Sequence, residues 1–438
     1  MIQKYYPWSV CDMSKYFCSY PWEHIYIHTS GHIRLCCTSD QNITKDDGYF
    51  LYNLKQDELT ASWNSDYMKK VRLSMIRGEK LKTCYKCWDA KAQGLSALQR
   101  SNNKEYHIKN TQEDGSIDYP SYDVQLHFGN VCNLACKMCS QMYSHSIGKE
   151  LLAMGDEDPD FLKWVKSQSG ILNNWTGELD IVYDWFKNEK VKKSVFEHVS
   201  KNVTNFNVIG GEPTIIKEFF ELLEYCYDQG TLRGKSIGIC TNVTNVNPKL
   251  TKWLPSMKSV TVYPSVDGVG DRQEYIRYPS HWKTVVKNLN FYKDIFTTSG
   301  KGIIVFQPSI QTLNIDMLDE MIDFFLSFED KNYKSSISFI SYVQYPKICN
   351  YHFLPKTYKK QVAEKLEKAS DRFSNELIKK ELIGHAKNLL EDSIDANERA
   401  FLIKSFIKYN DQQDRFRKKT TWRQLLPALE KSLIDETT

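Results

Sequence analysis

Apolar and polar residues alternate in short runs through the middle of the chain, which is the pattern of β-strands with one buried face. The first run, Asp123 to Phe128, ends at Gly129 and Asn130, two residues that commonly terminate a strand. Further strand-like runs follow at 204–209, 236–241, 260–266, 302–310 and 336–342. Apolar residues with helical spacing lie between them, as in 216–228, 281–296 and 315–328. Strands that alternate with helices predict an α/β fold with a parallel sheet.

The two ends of the chain have different patterns. Near the N-terminus, strand-like 21–28, a turn at 29–32 and a return strand at 33–37 predict a β-hairpin, which a helix at 63–78 follows. From Pro355 the pattern is helical, and we interpret the basic run Arg415 to Lys419 as a solvated helix face. The chain therefore divides into a cysteine-bearing module (1–100), a polar linker (101–120), an α/β core (121–350) and a helical C-terminal extension (351–438).

Composition adds information about compartment more than about partners. The 438 residues are 41% hydrophobic and 26% charged, and 58 basic against 54 acidic residues give no argument for nucleic acid or an anionic membrane. The N-terminal MIQKYYPWSV lacks the apolar segment of a signal peptide, and no apolar run reaches the length of a membrane span. Twelve cysteines without an export signal point to a reducing compartment, so we expect a cytoplasmic protein whose cysteines bind metal.

Three cysteines follow the first core strand with the spacing C-x3-C-x2-C. Cys132, Cys136 and Cys139 lie within eight residues, so their thiolates can converge on one soft metal centre. They supply one ligand fewer than a closed zinc site or a fully ligated four-iron cluster needs. The spacing alone also allows a zinc knuckle or reactive loop cysteines.

A second motif, Gly210-Gly211-Glu212-Pro213-Thr214, follows the next strand-like run. By itself it is a turn in which paired glycines permit a close backbone approach and a carboxylate can hold an ammonium group. The two motifs together, in this order and strand context, resemble the radical S-adenosylmethionine (SAM) superfamily. The resemblance implies a partial (β/α)6 TIM-like barrel and a [4Fe–4S] cluster on the three cysteines. The open iron would chelate the amino and carboxylate groups of SAM, with Gly210, Gly211 and Glu212 at the amino group.

The resemblance also assigns residues at the carboxyl ends of the strands, where barrel folds carry their chemistry. It implies that the backbone of Met138 lies near the adenine. Asn242, Ser265 and Asp267 would face the ribose and the methionine carboxylate, with Arg277 as a possible carboxylate partner. Each of the last four residues is equally suited to a strand cap or a turn. No catalytic residue beyond these cluster and cofactor ligands is assigned.

The N-terminal module holds a second cysteine set. Cys18, twelve residues, Gly31, four residues, Cys36 and then Cys84-x2-Cys87 form a pattern that, on chemistry alone, suits a structural zinc ribbon. Beside a radical SAM core it resembles the twitch domain, a shortened relative of the SPASM domain, and implies an auxiliary [4Fe–4S] cluster. This module precedes the core, whereas such domains commonly follow it. Cys37 is a spare thiol that could replace Cys36.

The resemblance implies an enzyme with two [4Fe–4S] clusters that cleaves SAM reductively to a 5′-deoxyadenosyl radical and abstracts hydrogen from a substrate. Flavodoxin or ferredoxin is the expected electron donor. Twitch- and SPASM-bearing relatives commonly modify peptides or proteins, so we expect a peptide or protein substrate. A sugar or another small molecule is the alternative, and a non-catalytic metal-binding scaffold is a more distant one.

Overall fold

The computed structural model describes residues 15–39, 41–92, 97–168, 172, 178–179, 181–338, 342–391 and 393–437. Its strands are β1 (His24–Ile27), β2 (Ile33–Arg34), β3 (Asp123–His127), β4 (Asn205–Ile209), β5 (Ser236–Thr241), β6 (Ser259–Pro264), β7 (Gly302–Phe306) and β8 (Ser336–Ile337). They form one sheet in the order β2-β1-β3-β4-β5-β6-β7-β8. β1 pairs antiparallel with β2, whereas β1–β3, β3–β4, β4–β5 and β7–β8 are parallel. The mostly parallel sheet confirms the predicted α/β class, while the partial barrel stays a prediction.

Helices connect the strands and form the C-terminal region. Those up to β5 are α1 (Tyr20–Glu23), α2 (Asp66–Ile76), α3 (Tyr85–Ala92), α4 (Lys104–Lys109), α5 (His145–Glu157), α6 (Pro159–Ser167), α7 (Glu189–Asn202) and α8 (Lys217–Asp228). The later ones are α9 (Lys249–Trp253), α10 (Asp271–Ile276), α11 (Trp282–Ser299), α12 (Leu318–Leu326), α13 (Lys356–Ser370), α14 (Glu376–Leu390), α15 (Ala396–Arg417), α16 (Trp422–Leu425) and α17 (Pro427–Thr437). In the described part of the chain, no helix is long and apolar enough to cross a membrane.

Some elements end earlier than the pattern predicts. The strand predicted for 302–310 ends at Phe306, and Pro308 two residues later cannot donate a ladder hydrogen bond. The return strand of the N-terminal hairpin ends at Arg34, so Cys36 and Cys37 lie beyond it. The strand predicted for 336–342 is described only at Ser336–Ile337, since 339–341 lie outside the described residues.

The chain packs as two compact units. Unit 1 contains the described residues of 1–131, 182–240 and 248–261, and unit 2 those of 132–181, 241–247 and 262–438. These units are defined by packing and do not decide the bounds of the four predicted domains, which stay a prediction.

Side chains on the two faces of the sheet in unit 1 differ sharply in polarity. Strand register aligns Ile25, Val124, Phe206 and Ile237 in one apolar row, and the next apolar row is Ile27, Leu126, Val208 and Ile239. All eight are at most 2% exposed, so this face forms the core. The opposite face carries polar rows, namely His24, Asp123, Asn205 and Ser236, then Tyr26, Gln125 and Asn207.

A buried arginine joins the N-terminal module of unit 1 to the segment that we predict as a linker. Arg72 of α2 is fully buried and donates to the carbonyls of Pro21 (2.9 Å), Trp63 (2.7 Å) and Gly115 (3.3 Å) and to Asn64 Oδ1 (2.9 Å). The charge is thus satisfied by oxygens from segments distant in sequence.

Unit 2 has its own apolar core, which the helices of the C-terminal region largely supply. Its fully buried members include Ile276, Ile322, Leu366, Leu382 and Trp422. The helices α13 and α14 pack against each other within it. Apolar burial on this scale is the main stabilising term for such a unit.

We predict that Arg72→Met destabilises the protein by roughly 2–4 kcal/mol, because the carbonyls that Arg72 binds would lose their donors while staying buried. Denaturant unfolding monitored by circular dichroism measures the change. Arg77→Met is the control, since Arg77 is largely exposed and pairs with Glu79 at the surface. It should cost less than about 1 kcal/mol. Equal losses in both variants would contradict the importance of this buried arginine.

Candidate functional site

The cysteine loop begins a few residues after β3. Cys132 and Cys136 are each 8% exposed, and Cys139 is half-buried. Ser146 at the start of α5 donates through Oγ to the carbonyl of Cys132 at 2.6 Å, which fixes the first part of the loop. The loop backbone is therefore held by the protein, and Cys132 and Cys136 form a small buried cluster with Leu134, against which Cys139 packs.

The three thiols of the loop are close enough to influence one another's pKa. Burial, followed by the proximity of Cys136 and Cys132, raises the pKa of Cys139 well above its usual range. Burial likewise raises the pKa of Cys136, although the guanidinium of Arg277 opposes this shift. Neutral thiols are thus favoured in the protein alone, and a bound cationic centre would be needed to draw off their protons. Three converging thiols suit the three protein-ligated irons of a four-iron cluster.

The glycine turn contacts the backbone just before this loop. Gly211 has φ +52°, and a Cβ there would lie 2.2 Å from the carbonyl oxygen of Val131, the residue before Cys132. A Cβ at Gly210 would lie 2.6 Å from Nδ1 of His127. The N–H of Glu212 donates to the same Val131 carbonyl at 2.8 Å. Only glycine permits this approach without displacing the backbone.

The carboxylate of Glu212 is 1% exposed, and its Oε1 accepts from the N–H (3.0 Å) and the hydroxyl (2.7 Å) of Thr214. The sequence pattern predicts that this carboxylate can hold an ammonium group. The structure adds that two donors of Thr214 orient it within the turn, which restricts its rotamers.

Asn242 and Ser265 both follow strands of the sheet. Asn242 Nδ2 lies 2.9 Å from Asn133 Oδ1 and 3.9 Å from Cys132 Sγ, so it is beside the cysteine loop. Its Oδ1 accepts from Thr244, as expected of a turn residue. Ser265 donates its N–H to the carbonyl of Thr241 at 2.8 Å. The site and turn interpretations of Asn242 are thus compatible.

Asp267 and Arg277 form a buried ion pair. Asp267 is fully buried, and its Oδ2 accepts from Arg277 Nε at 2.6 Å while its Oδ1 accepts from the N–H of Ser309 at 2.7 Å. Arg277 Nη1 lies 4.0 Å from Cys136 Sγ. The pair therefore brings a guanidinium to the cysteine loop. Met138 is half-buried and packs against the same thiols.

The N-terminal cysteines also come together, within unit 1. Burial raises the pKa of Cys18 to about 11, and the next contributions from thiols come from Cys36 and Cys87. Burial raises the pKa of Cys84 further, with added contributions from Cys36, Cys18 and Cys87. Thr38 Oγ1 lies 3.2 Å from Cys36 Sγ and 3.9 Å from Cys87 Sγ. All four thiols of the predicted set are therefore neighbours.

Gly31 lies in the hairpin turn between the first two of these cysteines. It has φ +85° in the hairpin turn, and a Cβ there would lie 2.8 Å from Asn53 Oδ1 and 3.1 Å from Cβ of Trp185. The turn therefore needs glycine to pack in this way. Cys37 lies beside the set, with Cys36 and Cys87 as electrostatic neighbours.

Among the described residues, no three His, Cys, Asp or Glu side chains are close enough to hold a single metal ion. A four-iron cluster takes its thiolates on separate irons, so its ligands need not share one ion.

The sequence pattern missed a polar group around Lys137, which lies between Cys136 and Cys139. Lys137 is 4% exposed, and burial, followed by the charge of Arg417, lowers its pKa to about 7. The interpretation of Arg415 to Lys419 as a solvated face is wrong for Arg417, which is 7% exposed and pairs with Glu150 at 2.8 Å. The position of a lysine inside the cysteine motif is the only local signal for this group.

Two family models match the chain. The model of the radical SAM superfamily matches residues 126–325, and that of the SPASM iron–sulfur cluster-binding domain matches residues 18–88. The chain therefore contains a radical SAM domain. As predicted, its SPASM domain precedes the radical SAM domain. The families imply a [4Fe–4S] cluster and SAM for the radical SAM domain, and further iron–sulfur ligation for the SPASM domain. No curated protein sequence matches this radical SAM protein.

Solved structures of SuiB from Streptococcus suis are similar to this radical SAM protein. They show SuiB alone (16% identity, TM-score 0.33), bound to S-adenosylmethionine (15%, 0.34) and bound to the precursor peptide SuiA (14%, 0.32). The matches cover 64%, 70% and 70% of this chain and 56%, 64% and 63% of the SuiB chains. The chain thus spans less than two thirds of the length of SuiB, and similarity at this level does not transfer the peptide of SuiB to it.

We predict that Gly211→Ala weakens SAM binding by at least about tenfold, because the added Cβ would push the turn away from Val131. Equilibrium dialysis with the reconstituted protein measures the affinity. Gly230→Ala is the matched control, since Gly230 also has positive φ (+68°) but no neighbour within 4 Å of an added Cβ. Equal affinity in the two variants would show that the close approach does not matter for the cofactor.

Proposed function

We propose that this protein is a radical SAM enzyme that cleaves SAM reductively and abstracts hydrogen from a peptide or protein. When bound, the reduced cluster supplies one electron to the sulfonium of SAM, giving methionine and a 5′-deoxyadenosyl radical that takes hydrogen from the substrate. A flavodoxin or ferredoxin would supply that electron.

The contact of the glycine turn with Val131 carries the proposal. It anchors Gly210, Gly211 and Glu212 to the residue that immediately precedes Cys132. Val131 is bonded directly to Cys132, so the turn proposed to bind the amino group of SAM contacts the backbone one residue before the first proposed cluster ligand.

In this proposal Cys132, Cys136 and Cys139 hold the core cluster, and Glu212 accepts from the amino group of SAM. Arg277 binds the carboxylate of SAM, while Asn242, Ser265 and the backbone of Met138 line the ribose and adenine. Asp267 acts through Arg277, because the protein already donates to both of its carboxylate oxygens. The ion pair would restrain the guanidinium beside the cluster.

We also propose that Cys18, Cys36, Cys84 and Cys87 hold the auxiliary cluster. Cys84 has Cys36, Cys18 and Cys87 as its electrostatic neighbours, which favours Cys36 over Cys37 as the fourth ligand. Four thiolates close the coordination of a [4Fe–4S] cluster, so its proposed role is electron transfer with the substrate radical, without substrate ligation.

The polar face of the sheet in unit 1 supports a polar substrate. In the row that follows His24 and Asp123, Tyr26, Gln125 and Asn207 present hydroxyl and amide groups on this face. Hydroxyl and amide groups of this kind suit the N–H and C=O groups of a peptide.

The same side chains also suit the hydroxyl groups of a sugar, which is the second candidate substrate. Formation of 5′-deoxyadenosine under dithionite, measured by liquid chromatography, tests the activity itself. Peptides encoded next to the gene should stimulate it, and nucleotide sugars should not. Stimulation by sugars alone would overturn the peptide assignment while leaving the radical chemistry intact.

We predict that replacing Cys132, Cys136 or Cys139 with Ala abolishes 5′-deoxyadenosine formation, because three ligands leave no redundancy. Wild-type protein should contain iron and sulfide for two [4Fe–4S] clusters after anaerobic reconstitution, and each variant should lose the core cluster. Cys226→Ala is the control, since Cys226 is fully buried in α8 outside both cysteine sets. Substantial cleavage of SAM by a variant with all three cysteines replaced by Ala would end the radical interpretation.

We predict that a Cys84→Ala, Cys87→Ala protein loses one cluster yet still forms 5′-deoxyadenosine under dithionite. Cleavage needs only the open iron of the core cluster and the glycine turn, whereas turnover of the substrate should stop. Electron paramagnetic resonance (EPR) of the core cluster and circular dichroism must show that the variant is folded, since a module closed by metal can unfold without it. A folded variant that no longer cleaves SAM would show that the auxiliary cluster delivers the first electron.

A further inference from the structure

One face of α15 is buried yet polar. Asn410, Gln413, Asp414 and Arg417 follow the spacing i, i+3, i+4 and i+7, so they lie on the same side of the helix. They are 2%, 3%, 8% and 7% exposed. Packing alone would favour apolar residues on such a face, because burying polar groups costs free energy unless each finds a partner. These four polar side chains therefore need hydrogen-bond partners within unit 2.

The first partner is Lys137, which lies between two of the proposed cluster ligands in sequence. Its Nζ donates to Asn410 Oδ1 at 2.9 Å and to Gln413 Oε1 at 2.8 Å. Asp414 Oδ1 is 3.9 Å away, and the Tyr275 ring lies 4.2 Å from the ammonium. These neighbours satisfy a buried ammonium and fix its position.

The second partner is the backbone on the other side of Cys136. Arg417 Nη2 donates to the carbonyl of Ala135 at 2.7 Å. Glu150 of α5 holds the same guanidinium through contacts of 3.0 and 2.8 Å, and Gln413 Nε2 donates to Glu150 Oε1 at 2.9 Å. The helix thus holds both neighbours of Cys136 through one connected network.

The end of α10 and the two residues after it hold the same three-residue segment through its backbone donors. The N–H of Ala135 donates to the carbonyl of Tyr278 at 2.6 Å, and that of Lys137 to the carbonyl of Ile276 at 2.8 Å. Two N–H groups of segment 135–137 therefore donate to carbonyls at or just after the end of α10, while α15 binds the carbonyl of Ala135 and the side chain of Lys137. This leaves Cys136 little freedom to move relative to unit 2.

We propose that α15 positions the cysteine loop, residues 132–139, through its contacts with Lys137 and through the hydrogen bond of Arg417 to Ala135. This inference rests on the proposed function, in which Cys132, Cys136 and Cys139 hold the core cluster. Neither Lys137 nor Arg417 touches the reacting atoms in this proposal. They act by fixing the orientation of the loop, and with it the site at which SAM binds the open iron.

The experiment compares full-length wild type, Lys137→Met and Asp411→Asn after anaerobic reconstitution. Lys137→Met removes the donors at similar side-chain length. Asp411 is the control, because it lies on α15 but pairs with Trp422 and Arg423. We measure iron and sulfide, the EPR spectrum of the reduced protein with and without SAM, and SAM affinity.

We expect Lys137→Met to keep two clusters but to show altered g values for the core cluster and SAM affinity at least about tenfold weaker. Lys137→Arg should restore part of the affinity. Asp411→Asn should match wild type. Spectra and affinity of Lys137→Met equal to those of Asp411→Asn would overturn the inference.

Circular dichroism shows whether Lys137→Met folds. If it does not, the double variant Asn410→Leu, Gln413→Leu removes the two acceptors on α15 that bind Lys137. An altered core-cluster spectrum in that folded variant supports the inference, and an unchanged spectrum overturns it. A wild-type protein that forms no SAM-responsive cluster would instead overturn the proposed function, so the two failures remain distinguishable.

Discussion

The backbone contact between Gly211 and Val131 is the constraint on which the candidate site depends. A carbonyl that accepts from Glu212 N–H and lies 2.2 Å from where a Cβ of residue 211 would be leaves room for hydrogen alone. The β-sheet places the two strands side by side, but strand pairing does not set how closely the loops beyond them approach. That closeness depends on paired glycines with positive φ, a conformation that other residues adopt only with strain.

Local motifs and strand alternation allowed the sheet and the glycine turn to be predicted from the sequence. The polar and apolar rows of the sheet follow directly from period-2 alternation in 124–126 and 205–209, because register then aligns like residues across strands. The role of Gly210 and Gly211 could be predicted because the need for positive φ in a tight turn is a local property of the sequence. Strand ends were harder to predict, since the predicted run 302–310 continues past Phe306, where the strand ends two residues before Pro308.

The α15 network could not be predicted, because its partners are far apart in sequence. Lys137 and Gln413 are 276 residues apart, and nothing in a basic run such as RFRKK distinguishes Arg417 from its solvated neighbours. Helical periodicity in apolar residues finds cores, whereas this helix buries a polar stripe. A buried charge is expensive without partners, so the network must form as a unit or not at all. A network of this kind is suited to holding the cysteine loop in one orientation.

Burial raises the thiol pKa of Cys18 and Cys84 in one set and of Cys136 and Cys139 in the other. Burial raises the pKa of Cys18 to about 11, above its value in an unfolded chain, so folding favours the protonated thiol. For the protein without metal, that stability is fully present below the unfolded pKa and is lost as the pH rises towards 11. Iron reverses the preference, since it binds thiolate and releases the proton. The same burial that disfavours a free thiolate shields a bound cluster from water, so loading and folding of these sites are linked.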